Sequence, residues 1–156
     1  MNVSYKIANS KEEYEIARIL FEEYAASLNV DLCFQGFDAE LTTIHLQYNL
    51  PKGCLYLVYD SDKVIGCAAI REFENTNGEL KRMYLKPECR GQKVGQKFLE
   101  LMIAKAKELG YTKLRLDTLP QMKEALQLYK KFGFTEIGSY RFNPIEGTMY
   151  LEKKLL

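Results

Sequence analysis

Histidine is almost missing from this chain: His45 is the only one in 156 residues. A zinc centre needs several nitrogen or sulfur ligands, so the sequence predicts no metal site. Proton transfer, if the chain performs any, falls to carboxylates and phenols. Cysteine is also sparse. Cys33, Cys54, Cys67 and Cys89 stand singly with no CxxC pair, which suits reduced thiols in a cytoplasmic protein better than a disulfide framework. Neither sign of charge is in excess, since 22 Lys+Arg against 21 Asp+Glu leave a net +1. That argues against a protein held on nucleic acid or an anionic membrane by bulk electrostatics, although a local basic loop stays open. No apolar run approaches transmembrane length, and the opening MNVSYKIANS lacks the apolar core of a signal peptide. No repeat or Pro/Gly/Ser linker divides the chain. The expectation is one domain over residues 1–156.

What is present is an ample core and a readable order of elements. Hydrophobic residues make up 47% of the chain, enough for a packed interior and too many for a disordered one. Residues 3–8 alternate weakly, as a short edge strand does. Asn9 or Ser10 then offers an N-cap, with Glu12 and Glu13 in the first turn. Tyr14, Ala17, Leu20 or Phe21, and Tyr24 follow at helical spacing. A second helix is predicted over 38–48, ended by Pro51 and Gly53. Residues 54–59 and 64–70 are β-rich runs joined by the turn at 60–63, and 79–85 completes an antiparallel meander. Residues 86–93 are predicted as a loop. From Val94, the residues Phe98, Leu99, Met102, Ala106 and Leu109 keep the helical period, and Gly110 stops it. A strand at 113–116, a helix at 122–132 closed by Gly133, and strands at 135–137 and 148–153 finish the chain. The order βααβββαβαββ predicts an α/β (α+β) fold on one mixed, mostly antiparallel central sheet flanked by helices.

Residues 90–95, RGQKVG, lie between a strand and an amphipathic helix. A helix start offers unpaired N–H groups and the positive end of the helix dipole. Glycines permit close backbone approach, and Arg90 and Lys93 add cationic donors. A phosphate or pyrophosphate suits such a loop. So do solvated charges on a glycine-containing turn, and these six residues by themselves leave both open. The spacing matches neither the P-loop nor the GxGxxG dinucleotide turn.

Taken together, strand 79–85 (ELKRMYL), the run 87–91 (PECRG), the loop 90–95 and the helix 125–134 (ALQLYKKFGF) resemble the GNAT superfamily of N-acetyltransferases. The resemblance covers nearly the whole chain. It implies that acetyl-CoA binds in a V-shaped cleft where two central strands splay. The pyrophosphate would rest on backbone N–H groups of Gly91, Gln92, Lys93, Val94, Gly95 and Gln96, beside Arg90. The backbone around Tyr84, at Met83 and Leu85, would pair with the pantetheine arm. Two positions depart from the family pattern: Lys93 stands where a glycine is usual, and Met122 where an asparagine is frequent.

The resemblance also suggests proton-handling groups. Glu79, eleven positions before Arg90, matches a catalytic glutamate of some members, with a role as general base; a solvated glutamate at a strand end is the plainer reading. Tyr129 matches the tyrosine that protonates the CoA thiolate, and also suits simple core packing. Asp117 and Thr118 end a strand where the cleft should open, and can contact substrate or cap the next helix. Arg141 can pair with a substrate carboxylate and Asn143 can hydrogen-bond it, or both can belong to a surface loop turned by Asn143-Pro144 and Gly147. Phe34, Phe37 and His45 would border the acceptor site.

The implied activity is acetyl transfer from acetyl-CoA to a primary amine by direct attack in a ternary complex. The acceptor would be a small molecule or peptide, and a homodimer is plausible from the resemblance. The alternative is a non-catalytic acyl-CoA-binding or sensing module on the same fold.

Overall fold

The structure is a computed structural model that describes residues 1–28, 36–91 and 93–155. The first strand, β1 (Val3–Ile7), alternates half-buried and exposed residues, as an edge strand does. It pairs antiparallel with β2 (Cys54–Asp60). Helix α1 (Lys11–Leu28) starts on a reciprocal cap. The Ser10 hydroxyl accepts from the Glu13 N–H at 3.2 Å, while the Glu13 carboxylate accepts from the Asn9 N–H at 3.0 Å. One orphan donor of the first turn, and the N–H just before the cap, are thereby satisfied. Of the two candidate caps, Ser10 is the one used.

The second helix expected over 38–48 is two pieces, α2 (Phe37–Thr42) and α3 (Ile44–Gln47). They break at Thr43, with φ −127° and ψ 23°. The hydroxyls of Thr42 and Thr43 both donate to the carbonyl of Ala39, at 2.9 and 2.8 Å. Two adjacent threonines thus offer that carbonyl competing partners, and the helix ends.

The meander continues through β3 (Lys63–Glu74) and β4 (Asn77–Leu85), both longer than their apolar cores indicated. The predicted loop after β4 holds a single 3-10 turn at Pro87–Cys89. Helix α4 (Val94–Glu108), strand β5 (Lys113–Thr118), helix α5 (Lys123–Lys131) and strands β6 (Thr135–Ile137) and β7 (Met149–Lys154) follow. The sheet has seven strands in the order β1-β2-β3-β4-β5-β7-β6. Its β4–β5 pairing is parallel and the other neighbours are antiparallel. This is the mixed, mostly antiparallel sheet flanked by helices that the element order implies.

Two cores cover the two faces. On one, Ala17, Leu20 and Phe21 of α1 pack with Phe37, Ile44, Leu55, Leu57, Cys67, Ala69 and Tyr84. On the other, Phe98, Leu99 and Met102 of α4 pack with Tyr56, Val58, Ile70, Leu80, Leu114 and Leu116. No helix among the described residues is long and apolar enough to cross a membrane.

Candidate active site

Two features of β4 make the cleft. Its ladder with β5 runs only through Asn77↔Lys113, Gly78↔Leu114 and Glu79↔Arg115, although β5 continues to Thr118 against β7. Beyond Glu79, the side of β4 that faces β5 therefore has no strand partner. Such backbone N–H and C=O groups call for another partner. β4 also carries a bulge, because its register with β3 passes from Ala69↔Lys81 to Cys67↔Tyr84. Two residues, Arg82 and Met83, stand opposite Ala68, and Arg82 takes φ 56°.

A non-glycine residue in that region costs energy unless its surroundings impose it. Here a buried ion pair does so. Arg82 donates through Nε and Nη2 to the two carboxylate oxygens of Glu40 on α2, at 2.9 and 2.7 Å. The Tyr48 hydroxyl donates to the same carboxylate at 2.9 Å. Burial pushes the Glu40 carboxyl up, but the Arg82 guanidinium outweighs it and holds the group below the usual range. The Arg82 guanidinium also lies 5.2 Å from the centre of the Phe37 ring. His45 packs edge-on against Tyr14. Cys33 and Phe34 lie outside the described residues.

The opening between β4 and β5 is lined by Tyr24 of α1, by residues 80–83 of β4, by Leu116, Asp117 and Thr118 of β5, and by Met122 and Tyr129. Strand alternation divides β5. Leu114, Leu116 and Thr118 point to the α4/α5 face, and Lys113, Arg115 and Asp117 to the α1 face. Among the described residues, Asp117 Oδ2 and Thr118 Oγ1 are both buried without a hydrogen-bond partner. Neither residue caps α5, whose N-cap is Met122 with no side-chain cap bond. Tyr129 is 7% exposed, with its ring packed edge-on against Phe134. Burial drives its phenol well above the ordinary value, assisted by Tyr24 and Asp117, so it stays protonated.

At the anion loop, Gly91 takes φ 81° and Lys93 φ 61°. Lys93 is the N-cap of α4 and accepts the left-handed conformation that a glycine would adopt more cheaply. No side chain caps this helix. The first N–H groups, at Val94, Gly95 and Gln96, have no acceptor within the helix geometry. Arg90 folds back, donating through Nε to the Leu85 carbonyl at 3.0 Å and lying over the Tyr84 ring. A Cβ at Gly95 would reach only ordinary contact with Leu85 and Leu128, so the protein itself does not require glycine there. Gln92 lies outside the described residues. Of the strand residues named with the loop, Met83 and Leu85 pack toward α4. The Tyr84 side chain points the other way and donates to Glu23 of α1 at 2.6 Å.

Glu79 corrects an expectation. It is the third residue of β4, fully buried, and not a solvated strand end. Its carboxylate accepts from Arg71 Nε at 3.0 Å, from the Tyr140 hydroxyl at 2.9 Å and from Arg141 Nη2. Burial alone would raise its pKa, but Lys81, Arg141 and Arg71 bring it down to about 2. A carboxylate so stabilised is a weak base.

Arg141 is accordingly engaged with Glu79 and with the Phe73 and Tyr140 rings instead of an open solvent face. Asn143 Oδ1 accepts from the Ile145 N–H at 2.9 Å, a local turn bond. Sequence reasoning missed Arg71, Lys81, Tyr140 and the Arg82–Glu40–Tyr48 group. Lys81 shares a strand face with Glu79 by period two, which was a usable signal. Burial and Arg82 lower its pKa to about 8. Among the described residues, no group of three or more His, Cys, Asp or Glu is placed to hold a metal.

Comparison with known proteins agrees with this geometry. Residues 14–134 match the model of the acetyltransferase (GNAT) family. An uncharacterised N-acetyltransferase of Schizosaccharomyces pombe is 32% identical over 156 residues, spanning 99% of this chain and 96% of that protein. The crystal structure of an acetyltransferase from Streptococcus agalactiae superposes with a TM-score of 0.81 at 20% identity, covering 99% of both chains. A GNAT family acetyltransferase from Elizabethkingia anophelis, solved with acetyl-CoA bound, has a TM-score of 0.66 at 19% identity over 98% of both chains. The chain belongs to the GNAT family of acetyltransferases.

Proposed function

We propose that the protein transfers acetyl from acetyl-CoA to a primary amine by direct attack. The observation that carries this reading is the parting of β4 from β5 beside the uncapped start of α4. Unpaired strand backbone and helix N–H groups lie where a pantetheine arm and a pyrophosphate need partners. The acetyl-CoA seen in the Elizabethkingia relative supports the donor.

In this reading, backbone groups of Met83 and Leu85 align the pantetheine arm. The N–H groups of the α4 first turn, with Gly91 and Lys93, hold the pyrophosphate. The amine enters from the α1 face and attacks the thioester carbon. Its C–N bond forms as the C–S bond breaks. The Tyr129 hydroxyl, kept protonated by burial, gives its proton to the departing sulfur. Rate enhancement rests mainly on holding amine and thioester in register. Glu79 anchors Arg141 and Tyr140 of the C-terminal loop against the sheet, and the proton shed by the amine leaves through water.

The test is calorimetry with acetyl-CoA followed by thiol release over an amine panel. Binding with amine-dependent thiol release is expected. Absence of binding at millimolar acetyl-CoA overturns the reading, and binding without turnover on any amine makes the chain an acyl-CoA-binding module.

A further inference from the structure

The nitrogen that attacks the thioester sheds a proton, and Glu79, holding three donors, is a poor receiver for it. The strand geometry offers another. The last rung of the β4–β5 ladder is Glu79↔Arg115. Two residues further along each strand stand Lys81 and Asp117, across the gap from one another. Lys81 is paired with Ala69 of β3 and shares its α1 face, the face that Asp117 also takes. They are thus the first side chains of that face beyond the parting of the strands. Lys81 is 5% exposed, and it lines the opening with Asp117, Tyr24 and Tyr129.

Titratable and charged groups surround it. Glu79 and Arg82 flank it on β4, Asp117 faces it from β5, Glu40 from α2 and Arg141 from the C-terminal loop. Tyr24 of α1 and Tyr129 of α5 share the opening. Arg71 of β3 and Tyr140 are held by Glu79, and Glu40 is held by Arg82 and Tyr48. The arginines do not give up a proton, and burial keeps both Tyr24 and Tyr129 protonated. Lys81 and Asp117 are then the groups of the opening left to accept one, and a neutral amine is a far stronger base than a carboxylate. Burial, with the Arg82 charge, lowers the Lys81 pKa to about 8 against the pull of Glu79 and Asp117. A buried lysine poised near neutrality is suited to general-base work.

Resting on the transferase reading above, we infer that Lys81 is the catalytic base: its neutral amine takes the proton that the acceptor nitrogen sheds. The balance closes. The nitrogen lone pair forms the C–N bond as the C–S bond breaks, and the N–H proton passes to Lys81 Nζ. Tyr129 gives its proton to the sulfur. Water then carries the Lys81 proton to the Tyr129 phenolate, so one proton has moved from nitrogen to sulfur and both groups are restored. Asp117, across the gap, offsets the ammonium formed on Lys81 meanwhile.

The test is the single-turnover rate of acetyl transfer against pH, with saturating amine, in wild type, Lys81→Arg and Lys81→Met, beside acetyl-CoA calorimetry. The wild-type rate should rise about tenfold per pH unit and level off near pH 8. The step should stay at that pH for two amines of different basicity, which separates it from the ionisation of the amine. Both variants should lose the step and fall about 100- to 10,000-fold in rate, with acetyl-CoA affinity within a few-fold. Lys81→Arg keeps a positive charge but no base. A merely structural cation would leave its profile like that of wild type, and that result overturns the inference. A wild-type rate that is flat across about pH 6–10, or a step that moves with the amine, overturns it without any variant. That arm decides if neither variant folds. If wild type binds acetyl-CoA yet acetylates no amine, the transferase reading fails and this inference with it.

Discussion

A carboxylate that accepts from two arginines and a phenol has traded basicity for adhesion, and Glu79 shows the consequence for pH. Its pKa falls from 4.5 to about 2 in the folded chain. A depressed carboxyl contributes stability that is full above its unfolded value and is lost as pH falls through its folded one. The pH window is therefore about 4.5 down to 2, and the shift corresponds to an order of 3 kcal/mol. Glu79→Gln should be destabilised by about that much at neutral pH in urea titrations. The gap should close toward pH 2, and parallel curves for the two proteins at every pH would contradict the assignment. Tyr129→Phe belongs to the same scale. Turnover should fall by about 100-fold or more with acetyl-CoA affinity unchanged in calorimetry, and unchanged turnover would remove the phenol as the proton donor. Both residues were legible as candidates, because each stands at a fixed offset in a recognisable segment. The partners of Glu79 were not. Tyr140 and Arg141 come from 61 and 62 positions away, and only the closed sheet brings them together.

Between residues and the whole lie two backbone irregularities. Strand β4 alternates from Glu79 to Lys81, then sets a second charge, Arg82, beside the first; Arg82 takes φ 56° and turns its guanidinium onto Glu40 of α2. The adjacent Lys81 and Arg82 mark a slip in the period of two, but not its partner, which is 42 residues away. Removing one member leaves a buried charge uncompensated, so Glu40→Gln should cost about 3–5 kcal/mol in denaturant unfolding. Replacing both Glu40 and Arg82 by methionine should cost less than the single change. A double variant at least as unstable as Glu40→Gln would show that the pair does not act as a unit. The second irregularity is at the start of α4, where Lys93 adopts the glycine-like φ of 61°. Lys93→Gly should stabilise by up to about 1 kcal/mol, or cost nothing, by relieving that conformation. Acetyl-CoA affinity should stay within a few-fold; a collapse in binding would show that the lysine charge, more than the loop shape, holds the pyrophosphate.

For the molecule as a whole, the element order carried most of the fold. Hydrophobic period two, then 3.6, then two again placed the strands and the helices α1, α4 and α5 in sequence, with Gly110 and Gly133 at the helix ends. The tandem threonines that split the second helix act through hydroxyl bonds, which hydrophobic spacing does not register. The cleft itself was legible only through the family resemblance. Its physical origin is the early end of the β4–β5 ladder at Glu79↔Arg115, a property of two strands whose paired residues stand 36 positions apart and not of either alone. That opening joins two surfaces: the α4 start with its unpaired N–H groups, and the α1 face with Asp117. A donor from one side and an amine from the other would meet beside Tyr129. The most direct test is acetyl-CoA-dependent thiol release by the intact protein in the presence of primary amines, with the N-acetyl product identified by mass. The account predicts release that requires both the amine and acetyl-CoA. Acetyl-CoA binding without any amine-dependent thiol would contradict it.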